Sequence, residues 1–328
     1  MKPSDSPPGD EGYAPGSVGD LGYGANRLDS ELSDGAAYGL AETAAVATPT
    51  VSLKADVWRR FRRNKLAMLG LSFIVLLVLM AIFAPLIAPY DPLKIDTTQL
   101  RKPPSSDHWF GTDTVGRDVF SRIVYGARVS LWVGIAAGTI ATVVGVIFGA
   151  LAGFYGGWLD TVLMRFTDVL LAFPYLVLAL AIIAVIGSGV TSVILVTGFL
   201  GWLAIARVLR SSFLQIKQME YIDAARAVGC SNTRIMMRHM LPNAVQPVIV
   251  YATLFVGSAV LSEAALSFLG VGVQEPTPAW GLMINQGRKF IAVAPHMLFF
   301  PGAAIFLMVV AFVFVGDGLR DALDPKMK

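Results

Sequence analysis

The chain has 328 residues, of which 55% are hydrophobic and only 15% charged. Soluble domains carry about 25% charge, and a mean hydropathy of +0.63 exceeds what one water-surrounded core could bury. A net charge of +3, one cysteine (Cys230) and three scattered histidines argue against a nucleic-acid binder, an internal disulfide framework and a zinc site.

Residues 1–53 are rich in Gly, Pro, Ser, Ala and Asp and show no helical or strand period. Such a composition does not bury enough apolar surface to offset the entropy of ordering. A disordered tail is expected there. The cluster Lys54, Arg59, Arg60, Arg62, Arg63 and Lys65 follows, interleaved with Trp58 and Phe61. Because it abuts an apolar run, it reads as a topology signal and a contact for anionic lipid head groups, with no nucleic acid implied.

A transmembrane helix needs about 20 mostly apolar residues, and six spans are predicted. The first runs over 66–87, too deep in the chain and too long for a signal peptide. The second covers 129–154. An uncharged run over 169–206 is too long for one helix, and Gly187-Ser188-Gly189 divides it into spans three and four. The fifth covers 245–269 and the sixth 297–315. Pro174 is expected to kink span three. Arg165 and Asp168, at i and i+3, are expected to pair on one face. In span two, Gly134-x-x-x-Gly138 and Gly145-x-x-x-Gly149 predict close helix packing.

The basic residues set the orientation. Those before span one, those between spans four and five (Arg207, Arg210, Lys217, Arg226, Arg234, Arg238) and the terminal Arg320, Lys326 and Lys328 share one side. That side is the cytoplasm, so both termini are expected inside. The 91–128 loop lies opposite, its basic residues balanced by aspartates.

The most informative stretch is polar: MEYIDAARAVGCSNTRIMMRHMLP, residues 219–242. Good helix formers lead to Gly229, a left-handed stop. Ser231 or Asn232 then caps a second short helix, and Pro242 marks where that helix gives way. Asp223-Ala224-Ala225, three residues, Gly229, and Leu241-Pro242 twelve later resembles the "EAA" loop of type I ABC importer permeases, with Asp223 where Glu is usual. The resemblance extends over residues 54–326. It includes the 58–65 stretch, Phe110-Gly111-Thr112-Asp113, Gly116-Arg117-Asp118-Val119, Ser121-Arg122 and Gly126-Ala127-Arg128. It continues through Ser262-Glu263, Leu266-Ser267-Phe268-Leu269-Gly270, Pro278-Ala279-Trp280-Gly281 and Gly316-Asp317-Gly318-Leu319-Arg320-Asp321. Together these resemble the C-type subunits of the dipeptide, oligopeptide and nickel importers.

That resemblance implies an all-α membrane protein with six transmembrane helices in the bacterial inner membrane. It divides the chain into a tail (1–53), a first span with its loop (54–126) and a permease core (127–328) that holds a coupling loop at 213–242. The implied ATPase-coupling residues are Glu220, Asp223, Ala224, Ala225, Gly229, Arg238, His239, Leu241 and Pro242. The implied partners are a second permease chain, ABC ATPase subunits and an extracytoplasmic substrate-binding protein. The sequence has no G-x-x-x-x-G-K-[ST] phosphate loop, nor a nucleophile–base set. The chain is therefore not expected to be an enzyme or to bind a cofactor. ATP and its Mg are left to the ATPase. The implied cargo is a dipeptide or oligopeptide, with nickel or glutathione as alternatives and an ion-gradient transporter as the rival mechanism. His239 is expected to make an interfacial contact. Glu263, a lone carboxyl within span five, is read either as a pathway or gating residue or as part of an ion pair or capped helix end holding the bundle together.

Overall fold

The computed structural model describes residues 53–324. The tail expected over 1–53 lies outside the described residues except for Leu53, which begins the first helix. Among the described residues the architecture is helical, and the β-pairing is one isolated bridge, Thr112 with Asp118.

Helix α1 (Leu53–Arg63) is amphipathic. Its buried Phe61 packs with Val315 and Ala322 of the last helix, while Arg59, Arg62 and Arg63 face outward. The clasp is polar as well: Arg60 donates to the Asp324 carbonyl at 3.3 Å and Asn64 to the Asp321 carboxylate at 3.2 Å. Helix α2 (Lys65–Ile82) starts where the Asn64 side chain accepts from the Ala67 N–H at 3.1 Å. It stops before Pro85, which opens the one-turn helix α3 (Ala84–Ile87).

Helix α4 (Val119–Tyr155) has 37 residues, about 55 Å at 1.5 Å per residue. The expected span began ten residues later, because Arg122 and Arg128 interrupt the apolar count. The helix begins where Asp118 caps it, its Oδ2 accepting from the Ser121 N–H at 2.8 Å. The two glycine pairs serve different partners. A Cβ on Gly134 would stand 2.9 Å from Val260. One on Gly145 would stand 2.7 Å from Ile205, and one on Gly149 2.6 Å from the Ala206 carbonyl. Small residues thus seat α4 against two helices at once.

Helices α5 (Gly157–Leu171) and α6 (Tyr175–Ile186) meet at 92°. The expected kink at Pro174 is a right-angle break, since Pro174 cannot donate to the helix preceding it. The Arg165–Asp168 pair does not describe Asp168, which pairs with Arg207 of the next helix. The turn expected at 187–189 is present: Gly187 and Gly189 have φ of 94° and 146°. Helix α7 (Val190–Ile216) follows, then α8 (Glu220–Ala227). Helix α9 (Asn232–Phe268) runs on to α10 (Trp280–Gly287) and α11 (His296–Leu323).

Among the described residues, five helices are long and apolar enough to cross a membrane: α2, α4, α7, α9 and α11. The α5–α6 pair makes a sixth span if it is counted as one. Helix α7 is central, with 67% of its apolar window buried, against 22% for α2. The outward row of α2, which includes Leu69, Leu76 and Leu79, is exposed, as an apolar solvent requires. The boundary expected between 126 and 127 falls inside α4.

Candidate functional site

Two polar regions cap the bundle, one around α8 and one around residues 91–118 and 274–297. Helix α8 has buried Ile222 and Ala225 on one side, in a cluster with Phe213 of α7 and with Ile235, Met240 and Ala244 of α9. It therefore sits on the junction of α7 and α9. The end of α7 is anchored in turn. Lys217 Nζ donates to the Phe154 carbonyl at 2.7 Å, and Arg210 grips Asp160 through both oxygens, the second bond at 2.6 Å. A bidentate guanidinium–carboxylate pair fixes geometry as well as distance.

Gly229 ends α8 in the manner its position predicts. Its φ is +80°. Its N–H donates to the Arg226 carbonyl at 2.9 Å, and the Cys230 N–H donates to Ala225 at 3.1 Å. This pair of bonds satisfies the last helical carbonyls and needs a left-handed residue between them. Of the two cap residues the sequence allowed, Ser231 serves, its Oγ accepting from the Arg234 N–H at 3.4 Å.

The second helix does not give way at Pro242. It passes through a π-helical turn, Ile235–Met240, and continues as the long span. The Leu241 N–H reaches back five residues to Met236. Pro242 stands at the first turn of the regular helix beyond. The wider turn accommodates a residue that has no N–H of its own. Residues 232–268 are thereby one continuous helix that starts beside α8.

The expected coupling residues are brought together around this turn. Glu220, Asp223, Ala224, Gly229, Arg238 and Pro242 are exposed, Ala225 is buried, and His239 and Leu241 are half-buried. Asp223 pairs with Arg226 at 2.9 Å on the exposed face. The His239 carbonyl accepts from Asn243 at 2.8 Å. Around them lies apolar surface that the motif did not flag: Met219, Tyr221, Met237 and above all Val228, 81% exposed. Exposed apolar residues rimmed by polar ones mark a contact site. The signal was present in the sequence as apolar residues inside a polar loop.

Glu263 stands apart, twenty-one residues beyond Pro242 on the same helix, or about 30 Å along the axis. It is fully buried. Ser267 Oγ donates to its Oε1 at 2.7 Å and accepts from the Val273 N–H at 2.9 Å. The alternative of an ion pair is not realised: among the described residues no cation pairs with Glu263. Instead the carboxyl ties the helix end to the loop that follows.

The opposite cap is closely bonded. Asp113 Oδ1 accepts from the N–H groups of Val115 and Arg117, each at 2.9 Å, and its Oδ2 from Arg117 Nε at 2.6 Å. Arg117 reaches on to Glu275 at 3.0 Å. Asp118 Oδ1 meets His108 at 2.9 Å. The Thr98 hydroxyl and N–H hold the Asp96 carboxyl below its ordinary value of 3.8. Trp280 is fully buried, and its Nε1 donates to the Ile123 carbonyl at 3.0 Å. The resemblance quoted many of these residues, but a sequence does not pair Arg117 with Glu275, 158 positions away.

The chain is similar to known transport proteins. Residues 145–328 match the family described as the binding-protein-dependent transport system inner membrane component. Residues 52–104 match the N-terminal TM domain of oligopeptide transport permease C. The glutathione transport system permease protein GsiD of Escherichia coli O6:K15:H31 is 48% identical over 274 residues, covering 83% of this chain and 90% of that protein. GsiD of Shigella boydii serotype 4 matches equally. Among solved structures, an inward-facing MetNI methionine ABC transporter matches with a TM-score of 0.52 at 19% identity, covering 62% of this chain and 97% of the other; it supports the fold. A match over more than half the chain and close relatives of nearly full length lead to one conclusion: the chain belongs to the binding-protein-dependent inner membrane components, and it is a membrane-embedded permease of an ABC importer, a transport component rather than an enzyme.

Proposed function

We propose that this chain forms half of the translocation path of an ATP-driven importer of short peptides. It would work by alternating access beside a second, related permease. The carrying observation is the α8 turn: a short helix closed by Gly229, seated on two spans and ringed by exposed Met219, Tyr221, Val228 and Met237. A separate ATPase that uses ATP and Mg docks on this loop, residues 213–242. Its movement reaches the membrane through α9, which is helical from the turn to Phe268. Small Ala224 admits close approach, and the bound Ile222–Ala225 face makes the lever stiff.

The basic residues flanking the spans support a cytoplasmic position for this loop and both termini, in a bacterial inner membrane. The closely bonded cap then faces outward and receives a substrate-binding protein. Residues 1–53 form a cytoplasmic tail, 54–126 a first span with its outer loop, and 127–328 the permease core. Glutathione is itself a tripeptide, and the relatives named for its transport support it as one cargo beside dipeptides and oligopeptides.

Uptake of labelled dipeptide, oligopeptide and glutathione tests the proposal in cells with the chain, without it, and with Gly229→Asp. Loss of one uptake in both altered strains is expected. Uptake of all three unchanged by deletion overturns the peptide cargo; full transport by Gly229→Asp overturns the coupling role.

A further inference from the structure

Helix α1 is held to the bundle on one face and left bare on the other. At about 100° per residue, Val57 and Phe61 fall on one side, in a cluster with Val315, Leu319 and Ala322 of α11. Arg60 and Asn64 flank that seam, bonded to the Asp324 carbonyl and the Asp321 carboxylate. Arg59, Arg62 and Arg63 fall on the opposite side. Asp56 takes Arg59 and Arg60, at 2.7 and 2.9 Å. Arg62, Arg63 and Lys65, the last just past the end of α1, are exposed. Among the described residues none of these three makes an ion pair.

Two features place these cations at the surface of a bilayer. Helix α2 begins at Lys65, and Leu66 and Leu69 in its first turns are 56% and 62% exposed. They start the row that an apolar solvent must cover. Trp58, half-exposed, stacks on Phe61 with ring centroids 5.9 Å apart and planes 12° from parallel. An indole, apolar in body and polar at one edge, favours the head-group level. Charge and carbon therefore follow one another in the order a bilayer presents them. Head groups meet Arg62, Arg63 and Lys65, and acyl chains meet Leu66 and Leu69. A nucleic acid would match the charges and leave the leucines bare.

We propose that the corner between α1 and α2 is a site for an anionic phospholipid, whose phosphodiester is held by Arg62, Arg63 and Lys65. Guanidiniums match phosphate oxygens with paired donors, and the ammonium adds a point charge. The lipid presses on the bare face of α1 and clamps this helix against α11, fixing the end of the last span. On the protein side the clasp is thin: buried Phe61 and two exposed hydrogen bonds, at 3.3 and 3.2 Å. Each cation near an anionic surface strengthens attachment about fivefold, so three together contribute about a hundredfold. The inference rests on the chain being membrane-embedded and does not depend on the cargo or the coupling loop.

The test uses the purified full transporter complex in vesicles of phosphatidylcholine with a rising fraction of phosphatidylglycerol, at constant ionic strength. Hydrogen exchange of residues 53–63 is the readout. Exchange should slow saturably as phosphatidylglycerol rises. Soluble glycerol phosphate, added to vesicles of phosphatidylcholine alone, should leave it unchanged. Arg62→Gln, Arg63→Gln and Lys65→Gln combined should abolish the lipid dependence. If that variant does not assemble, the titration of the unaltered protein decides. Exchange indifferent to phosphatidylglycerol overturns the proposal. So does equal protection by soluble glycerol phosphate, or lipid protection that survives the triple substitution.

Discussion

The two polar ends of this bundle are built on opposite principles. The cap opposite α8 keeps its charges inside: Asp113, Arg117 and Arg122 are buried together, and Trp280 bonds across elements to Ile123. The α8 end leaves its charges and much of its apolar surface outside, with Asp223 and Arg226 exposed and Val228 almost bare. The bonds that tie Asp113 to Arg117 and Arg117 to Glu275 make a rigid platform. An unsatisfied surface waits for another molecule. The contrast explains why changes at the two ends should fail differently, in stability at one and in coupling at the other.

Arg117→Ala should produce the largest effect on folding. It removes the guanidinium bonded to both Asp113 and Glu275 and leaves Asp113 with only Arg122, 3.5 Å away, so the loss approaches that of a broken buried pair, about 3–5 kcal/mol. The melting temperature of the solubilised complex should fall steeply, and an unchanged value would mean that the cap is not the rigid end. Gly229→Asp should do the reverse. No atom lies within 4 Å of a Cβ built there, so the cost is left-handed strain of about 1–2 kcal/mol. The protein should accumulate in the membrane while uptake is lost, as shown by immunoblot and transport assay on the same cells. Loss of both would erase the distinction between the ends.

Ser231→Ala removes the cap of the second helix and should cost about 1 kcal/mol, with a partial loss of uptake. A loss as severe as that of Gly229→Asp would place the coupling determinant in the cap. Asp223→Asn is expected to matter least for stability. An exposed i, i+3 pair contributes about 0.2–0.5 kcal/mol, so the melting temperature should hardly move. If uptake nevertheless falls, the carboxylate serves the partner and not the fold.

Much of this could be read in advance where the physics is local. Runs of apolar residues announced the spans, Gly187 and Gly189 the hairpin, and Gly229 the end of α8, because chain length and backbone sterics act within a few residues. The readings that failed concerned residues with two possible neighbours. Asp168 was matched to Arg165 by spacing along one helix, but Arg207 on α7 holds it. A proline at 242 reads as a stop, yet the π turn before it lets the helix continue. The first residues of α4 do not read as span because Arg122 and Arg128 interrupt the apolar run.

The sequence by itself determined that the chain is helical, lives in an apolar solvent and carries an α8–Gly229 turn between two spans. Periodicity, composition and glycine chemistry suffice for these. Only the tertiary structure decided which faces meet: Gly134 against Val260, Gly145 against Ile205, and Arg117 beside Glu275. It alone revealed that Arg122 is buried beyond the reach of an unshared carboxylate. Such outcomes depend on which distant segments pack together, and pairing across long separations leaves no signature in the spacing of a single chain.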